Sequence, residues 1–155
     1  MTDPIDRPGV LVLPPLLYLA ALVVGLALQA VSPMTLPLPA VVRWVGGGVL
    51  VAGFVFGGVA RGAFARAGTN ANPMRAATAI VSSGSFRFSR NPMYVGISAV
   101  FLGIALLTRI GWLLILLPPV LAIMHWGVVL REERYLTRKF GAEYEAYRGR
   151  VRRYL

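Results

Sequence analysis

Four long apolar runs, at residues 10–31, 40–60, 92–108 and 111–130, occupy about half of this 155-residue chain. The first contains a single strongly polar side chain, Gln29. A stretch of about 20 apolar residues is what a helix needs to cross a hydrocarbon core of about 30 Å. Lipid offers no partner to a free peptide group, so a crossing segment must satisfy its own backbone, and a helix does so. The third run, 92–108, rises only about 26 Å at the helical pitch and is the shortest crossing. The expected fold class is therefore all-α: an integral membrane helical bundle of about four transmembrane helices, in one domain over residues 1–155.

Composition supports this reading. The chain is 57% hydrophobic and 14% charged, with a mean hydropathy of +0.68, where soluble domains run at about a quarter charged. The first run is longer than the 7–15 or so residues of a signal-peptide core, and little basic charge precedes it, so it reads as a retained helix after a flexible N-terminus at 1–9. There is no cysteine, which excludes disulfides, thiolate metal sites and cysteine nucleophiles.

The net charge is +10, and every basic residue but Lys139 is arginine. These charges flank apolar segments and form no continuous basic face, which argues for membrane orientation over nucleic-acid binding. The polar connection 61–91 holds Arg61, Arg66, Arg75, Arg87 and Arg90 and no acid; the tail 131–155 is also arginine-rich. The short linkers 32–39 and 108–110 carry only Arg109. By the positive-inside rule the long loop, the tail and both termini face the cytoplasm, in an inner or cytoplasmic membrane. None of the six acids lies within a run, which disfavours a proton-coupled transporter.

The second run is rich in glycine, with Gly53/Gly57 and Gly58/Gly62 at four-residue spacing. Small residues one turn apart let helices approach closely in lipid. Pro118-Pro119 are expected to bend the fourth helix.

Two segments carry candidate chemistry. Ser89-Arg90-Asn91-Pro92-Met93-Tyr94-Val95-Gly96 stands at the threshold of the third run. Asn91 is a favoured N-cap and Pro92 suits the first helical position. A helix opening there beside Arg90 offers free N–H groups and a positive dipole end to an anion. In the tail, Leu136, Phe140, Tyr144 and Tyr147 recur at helical spacing, with Gly141 as an interruption. That pattern suits a C-terminal amphipathic helix lying on lipid headgroups. Glu132 and Glu133, at the exit of the fourth run, are not needed for anchoring, and one of them is expected to turn toward Arg90. His125 precedes them by seven and eight residues, close to one face of a regular helix. One histidine and no cysteine leave too few ligands for a metal. The aspartates lie only at 3 and 6, too remote for a Ser-His-Asp arrangement.

The pair of segments resembles the isoprenylcysteine carboxyl methyltransferase and phospholipid methyltransferase superfamily, which carries Arg-His/Asn-Pro-x-Tyr-x-Gly followed by Glu-Glu-x-x-Leu-x-x-x-Phe-Gly-x-x-Tyr-x-x-Tyr. Here these read Arg90-Asn91-Pro92-Met93-Tyr94-Val95-Gly96 and Glu132-Glu133 through Leu136, Phe140-Gly141 and Tyr144 to Tyr147. The resemblance covers roughly residues 60–153. It implies S-adenosylmethionine as methyl donor, held between the Arg-Asn-Pro loop, the hairpin helices and the tail. It also implies a lipophilic acceptor (a carboxylate, amine or thiol) arriving from the bilayer. The implied catalytic residues are Arg90, which would orient an anionic group, and Glu133, as a cofactor contact or base. The implied cofactor contacts are Arg90, Asn91, Pro92, Tyr94, Gly96, His125, Glu132, Glu133, Tyr144 and Tyr147. Prenylcysteine-type members have histidine where this chain has Asn91, and an asparagine takes no proton near neutral pH. Two alternatives are a sterol-reductase-like membrane enzyme and a non-catalytic assembly or transport protein.

Overall fold

The computed structural model describes residues 8–155. The expected flexible N-terminus at 1–9 falls outside the described residues except at 8 and 9, where the Gly9 carbonyl accepts a 3.1 Å bond from Arg131 Nη1.

Helix α1, Pro14–Val31, opens on its two prolines, where the missing N–H has no partner to lose. Its start is four residues later than the apolar run because residues 8–13 run alongside the fourth span, with Leu11 N–H donating to the Gly127 carbonyl at 3.0 Å. Helix α2, Val41–Arg66, outlasts its expected end at 60. Nothing between 61 and 66 stops a helix, and the first left-handed residue is Gly68, at φ +63. Its 26 residues rise about 39 Å, more than the hydrocarbon core requires.

Helix α3, Pro92–Thr108, keeps the expected bounds and packs on α2 through glycine. A Cβ on Gly96 would lie 2.8 Å from the Gly53 carbonyl oxygen and 2.9 Å from Gly57 Cα. One on Gly103 would lie 2.8 Å from the Gly46 carbonyl oxygen. Backbone therefore meets backbone at two levels, the close approach that small residues permit in lipid. The expected Gly58/Gly62 pair is not part of it: a Cβ on Gly58 would meet nothing within 4 Å, and one on Gly62 only the Arg66 guanidinium.

The fourth span departs most from expectation. Helix α4, Gly111–Met124, carries Pro118 and Pro119 without ending. A π-helical turn, His125–Val129, comes next and leads directly into α5, Leu130–Phe140. The result is a 30-residue helix, Gly111–Phe140, with no boundary at 130. Gly141, at φ +51, breaks it before α6, Ala142–Arg148.

Tyr18, Phe101, Leu113, Val120 and Met124 form the core among α1, α3 and α4. At one end the linkers interlock, with Leu36 N–H bonded to the Arg109 carbonyl and Gly111 N–H to that of Met34. The opposite, arginine-rich end gathers the end of α2, the start of α3, α5 and α6. Leu16, Leu19, Val23, Val51, Val55, Ile115, Ile123 and Trp126 are exposed, a surface suited to lipid and not to water. Among the described residues three helices are long and apolar enough to cross a membrane, and α3 is a shorter apolar helix of 17 residues.

Candidate functional site

The arginine-rich end is organised around Glu133. Arg153 Nε donates to its two oxygens at 3.0 and 3.1 Å, and Arg153 Nη2 to Oε2 at 2.9 Å. Arg90 Nη1 approaches Oε1 from the other side at 3.2 Å. The side chains of Arg90 and Glu133 are only 8% and 10% exposed. That approach neutralises charge without forming a hydrogen bond: Arg90 Nε and Nη1 are buried and have no hydrogen-bond partner among the described residues. Arg90 is thus ion-paired with Glu133 and hydrogen-bonded to Tyr144, yet keeps donors to spare, and buried guanidinium donors are costly to leave unmade.

These spare donors belong to a residue lining a small cavity. Glu132, Glu133, Tyr144 and Tyr147 line it from the tail, Arg90 and Asn91 from the start of α3, and Asn72 and Pro73 from the polar connection. Its volume is about 60 Å³. Glu132 accepts a 2.7 Å bond from the Tyr94 hydroxyl, so both glutamates turn inward, to different partners. Beside this cavity a void of about 20 Å³, lined by Arg90, Pro92, Tyr94 and Glu132 among others, leads toward α3.

The aromatic face of the tail packs on protein, not on headgroups. Tyr144 and Tyr147 are 2% and 5% exposed, and the Tyr147 hydroxyl donates to the Phe86 carbonyl at 2.8 Å. Burial pushes the Tyr144 phenol up to about 12, helped by the Glu133 charge and opposed by Arg90. Tyr147 is raised by the same desolvation.

Asn91 occupies the N-cap position of α3, but its side chain makes no capping bond. Its carboxamide Nδ2 donates instead to the Arg153 carbonyl at 3.0 Å. The Ser89 hydroxyl accepts the Asn91 N–H at 3.1 Å and donates to the same Arg153 carbonyl at 3.3 Å. Arg90 N–H donates to the Arg152 carbonyl at 2.9 Å. Residues expected to greet an anion at this helix start therefore clasp the 152–153 backbone.

The structure thus brings together Arg90, Asn91, Pro92, Tyr94, Glu132, Glu133, Tyr144 and Tyr147. His125 is not among them. A π turn holds an extra residue, and one residue rotates the downstream helix by about 100°, so the face that seven- and eight-residue spacing implies for a regular helix is lost. His125 instead pairs with the Tyr154 hydroxyl at 2.7 Å in a separate groove between α3 and α4. Gly96 packs on α2 and lines a cleft among α1, α2 and α3; it does not line the Arg90 cavity. Arg153 is the residue that motif reasoning missed. Its one signal was arithmetic: the acids at 132–133 must balance more arginines than their immediate neighbours.

A family model described as phospholipid methyltransferase matches residues 41–143. No curated protein and no solved structure matches the chain.

Proposed function

The chain belongs to the phospholipid methyltransferase family, and from that premise we propose that it is an integral membrane S-adenosylmethionine-dependent methyltransferase. Its acceptor is a small lipophilic or amphiphilic molecule, and its polar site and both termini face the cytoplasm, as the arginine distribution supports. The observation that carries this reading is Arg90. A buried guanidinium with Nε and Nη1 unbonded, in a cavity walled by both halves of the motif, suits a carboxylate such as the one the donor carries.

Arg90 would hold the donor's carboxylate and Glu132 its ammonium. Glu132 is the better partner of the two glutamates, because Glu133 already has both oxygens engaged by arginine. Glu133 is therefore a positioning residue that fixes the Arg90 guanidinium. Tyr94 and Tyr144 would supply aromatic surface for the adenine or the sulfonium. The donor supplies an electrophilic methyl group, and the chain contributes alignment and exclusion of water. The cavity of about 60 Å³ is below the several hundred Å³ of a typical ligand pocket, so donor binding requires the 70–73 segment that lines it to move.

Isothermal titration of the detergent-purified protein with S-adenosylhomocysteine tests this proposal. Saturable binding is expected; no heat at millimolar ligand overturns it.

A further inference from the structure

We infer that the cleft among α1, α2 and α3 is the acceptor's lipid site and that Arg61 at its mouth selects a lipid with a negatively charged head. This rests on the methyltransferase reading and gives its acceptor a chemical class.

The cleft encloses about 530 Å³, within the range of small-molecule sites. Its walls are apolar, and Arg61 is the only charged residue that lines it among the described residues. Arg61 is exposed. It stands twenty residues beyond Val41, the first residue of α2, a rise of about 30 Å, equal to the hydrocarbon thickness. The guanidinium is therefore at headgroup level with an apolar slot beneath it, the arrangement that an amphiphile with an anionic head complements. Among the described residues no acid lines the cleft to neutralise it.

Gly58 sharpens the argument. Gly53 and Gly57 are explained by α3 packing, but a Cβ on Gly58 would meet nothing within 4 Å, and Gly58 lines the cleft. Its missing side chain keeps the slot open. The cleft also shares Asn72 and Pro73 with the Arg90 cavity, and Met93 and Tyr94 with the void beside it. Among the described residues the groove of about 600 Å³ between α3 and α4 has no arginine or lysine, and it shares only Tyr94 with those spaces.

Native mass spectrometry of the detergent-solubilised protein tests this with three probes of like chain: oleate, oleoyl lysophosphatidic acid and uncharged monooleoylglycerol. One or both anionic probes should bind at least about tenfold tighter than the uncharged one, the worth of one charged hydrogen bond. Which of the two binds better tells carboxylate from phosphate. Arg61→Gln, at an exposed position, should erase the preference while leaving S-adenosylhomocysteine affinity unchanged. Gly58→Leu should weaken all three probes, and Ala122→Leu, in the α3–α4 groove, should weaken none. Equal binding of charged and uncharged probes, or a preference that survives Arg61→Gln, overturns the inference. So does a loss on Ala122→Leu without one on Gly58→Leu. A wild-type protein that shows the Arg61-dependent preference but binds no S-adenosylhomocysteine sinks the methyltransferase reading and leaves the lipid site standing.

Discussion

Arg153 grips Glu133 with two nitrogens, at 2.9 to 3.1 Å, while Arg90 faces the same carboxylate at 3.2 Å. One acid thus joins the start of α3 to a segment more than sixty residues later. It also explains why Arg90 is charge-balanced yet has donors to spare.

Glu133→Gln leaves two guanidiniums facing a neutral amide, one of them buried. Removing one partner of a buried ionic group costs about 3–5 kcal/mol; Arg153 is 33% exposed, so about 3 kcal/mol is expected here. Thermal unfolding in detergent should show a clear fall in midpoint for Glu133→Gln, and S-adenosylhomocysteine affinity should fall with it. An unchanged midpoint would mean that the Arg90–Glu133–Arg153 cluster is not formed.

Gly96→Ala should be severely destabilising, because its Cβ would lie within 2.9 Å of backbone atoms of α2. Gly48→Ala is the control: its Cβ would meet nothing within 4 Å, and alanine in a helix interior is favoured over glycine by roughly 0.5–1 kcal/mol. Yield of folded monomer by size-exclusion chromatography separates them. Equal yields would contradict the glycine-mediated α2–α3 contact.

Tyr144 links stability to alkaline pH. Its folded-state value, about 12, lies above the ordinary 10.0. The stability contributed by the buried neutral phenol is therefore complete below pH 10 and is lost as pH rises toward 12. Tyrosinate absorbance should appear later for wild type than for urea-unfolded protein, and Tyr144→Phe should reduce that lag. A wild-type curve coincident with the unfolded one would show Tyr144 to be solvated.

His125→Phe should leave S-adenosylhomocysteine affinity within about twofold of wild type, since His125 meets Tyr154 in the α3–α4 groove and the cavity lies elsewhere. A tenfold loss, about 1.4 kcal/mol, would return His125 to the site.

Much of this architecture is legible in the sequence for physical reasons. Lipid forces each apolar run into a helix, and Pro92 fixes the start of α3 to the residue. The convergence of Arg90 with the glutamates is readable because the hairpin between them is short. Three features are not. Periodicity assumes a uniform helix, and the π turn at His125–Val129 breaks that phase without a local signature. The role of Asn91 escapes because capping preference is local, whereas its carboxamide bonds the Arg153 carbonyl. The end of α2 escapes because Arg61 ends the apolar run but not the helix.

In the proposed complex the Arg90 guanidinium, with Nε and Nη1 lacking hydrogen-bond partners among the described residues, receives the methyl donor's carboxylate. Isothermal titration with S-adenosylhomocysteine on wild type and Arg90→Met, at matched folded fractions, tests it most directly. Loss of a charge-assisted bond of about 1.5–3 kcal/mol predicts at least a tenfold weaker Kd for Arg90→Met. Equal Kd values for the two proteins, with thermal midpoints showing both folded, would contradict it.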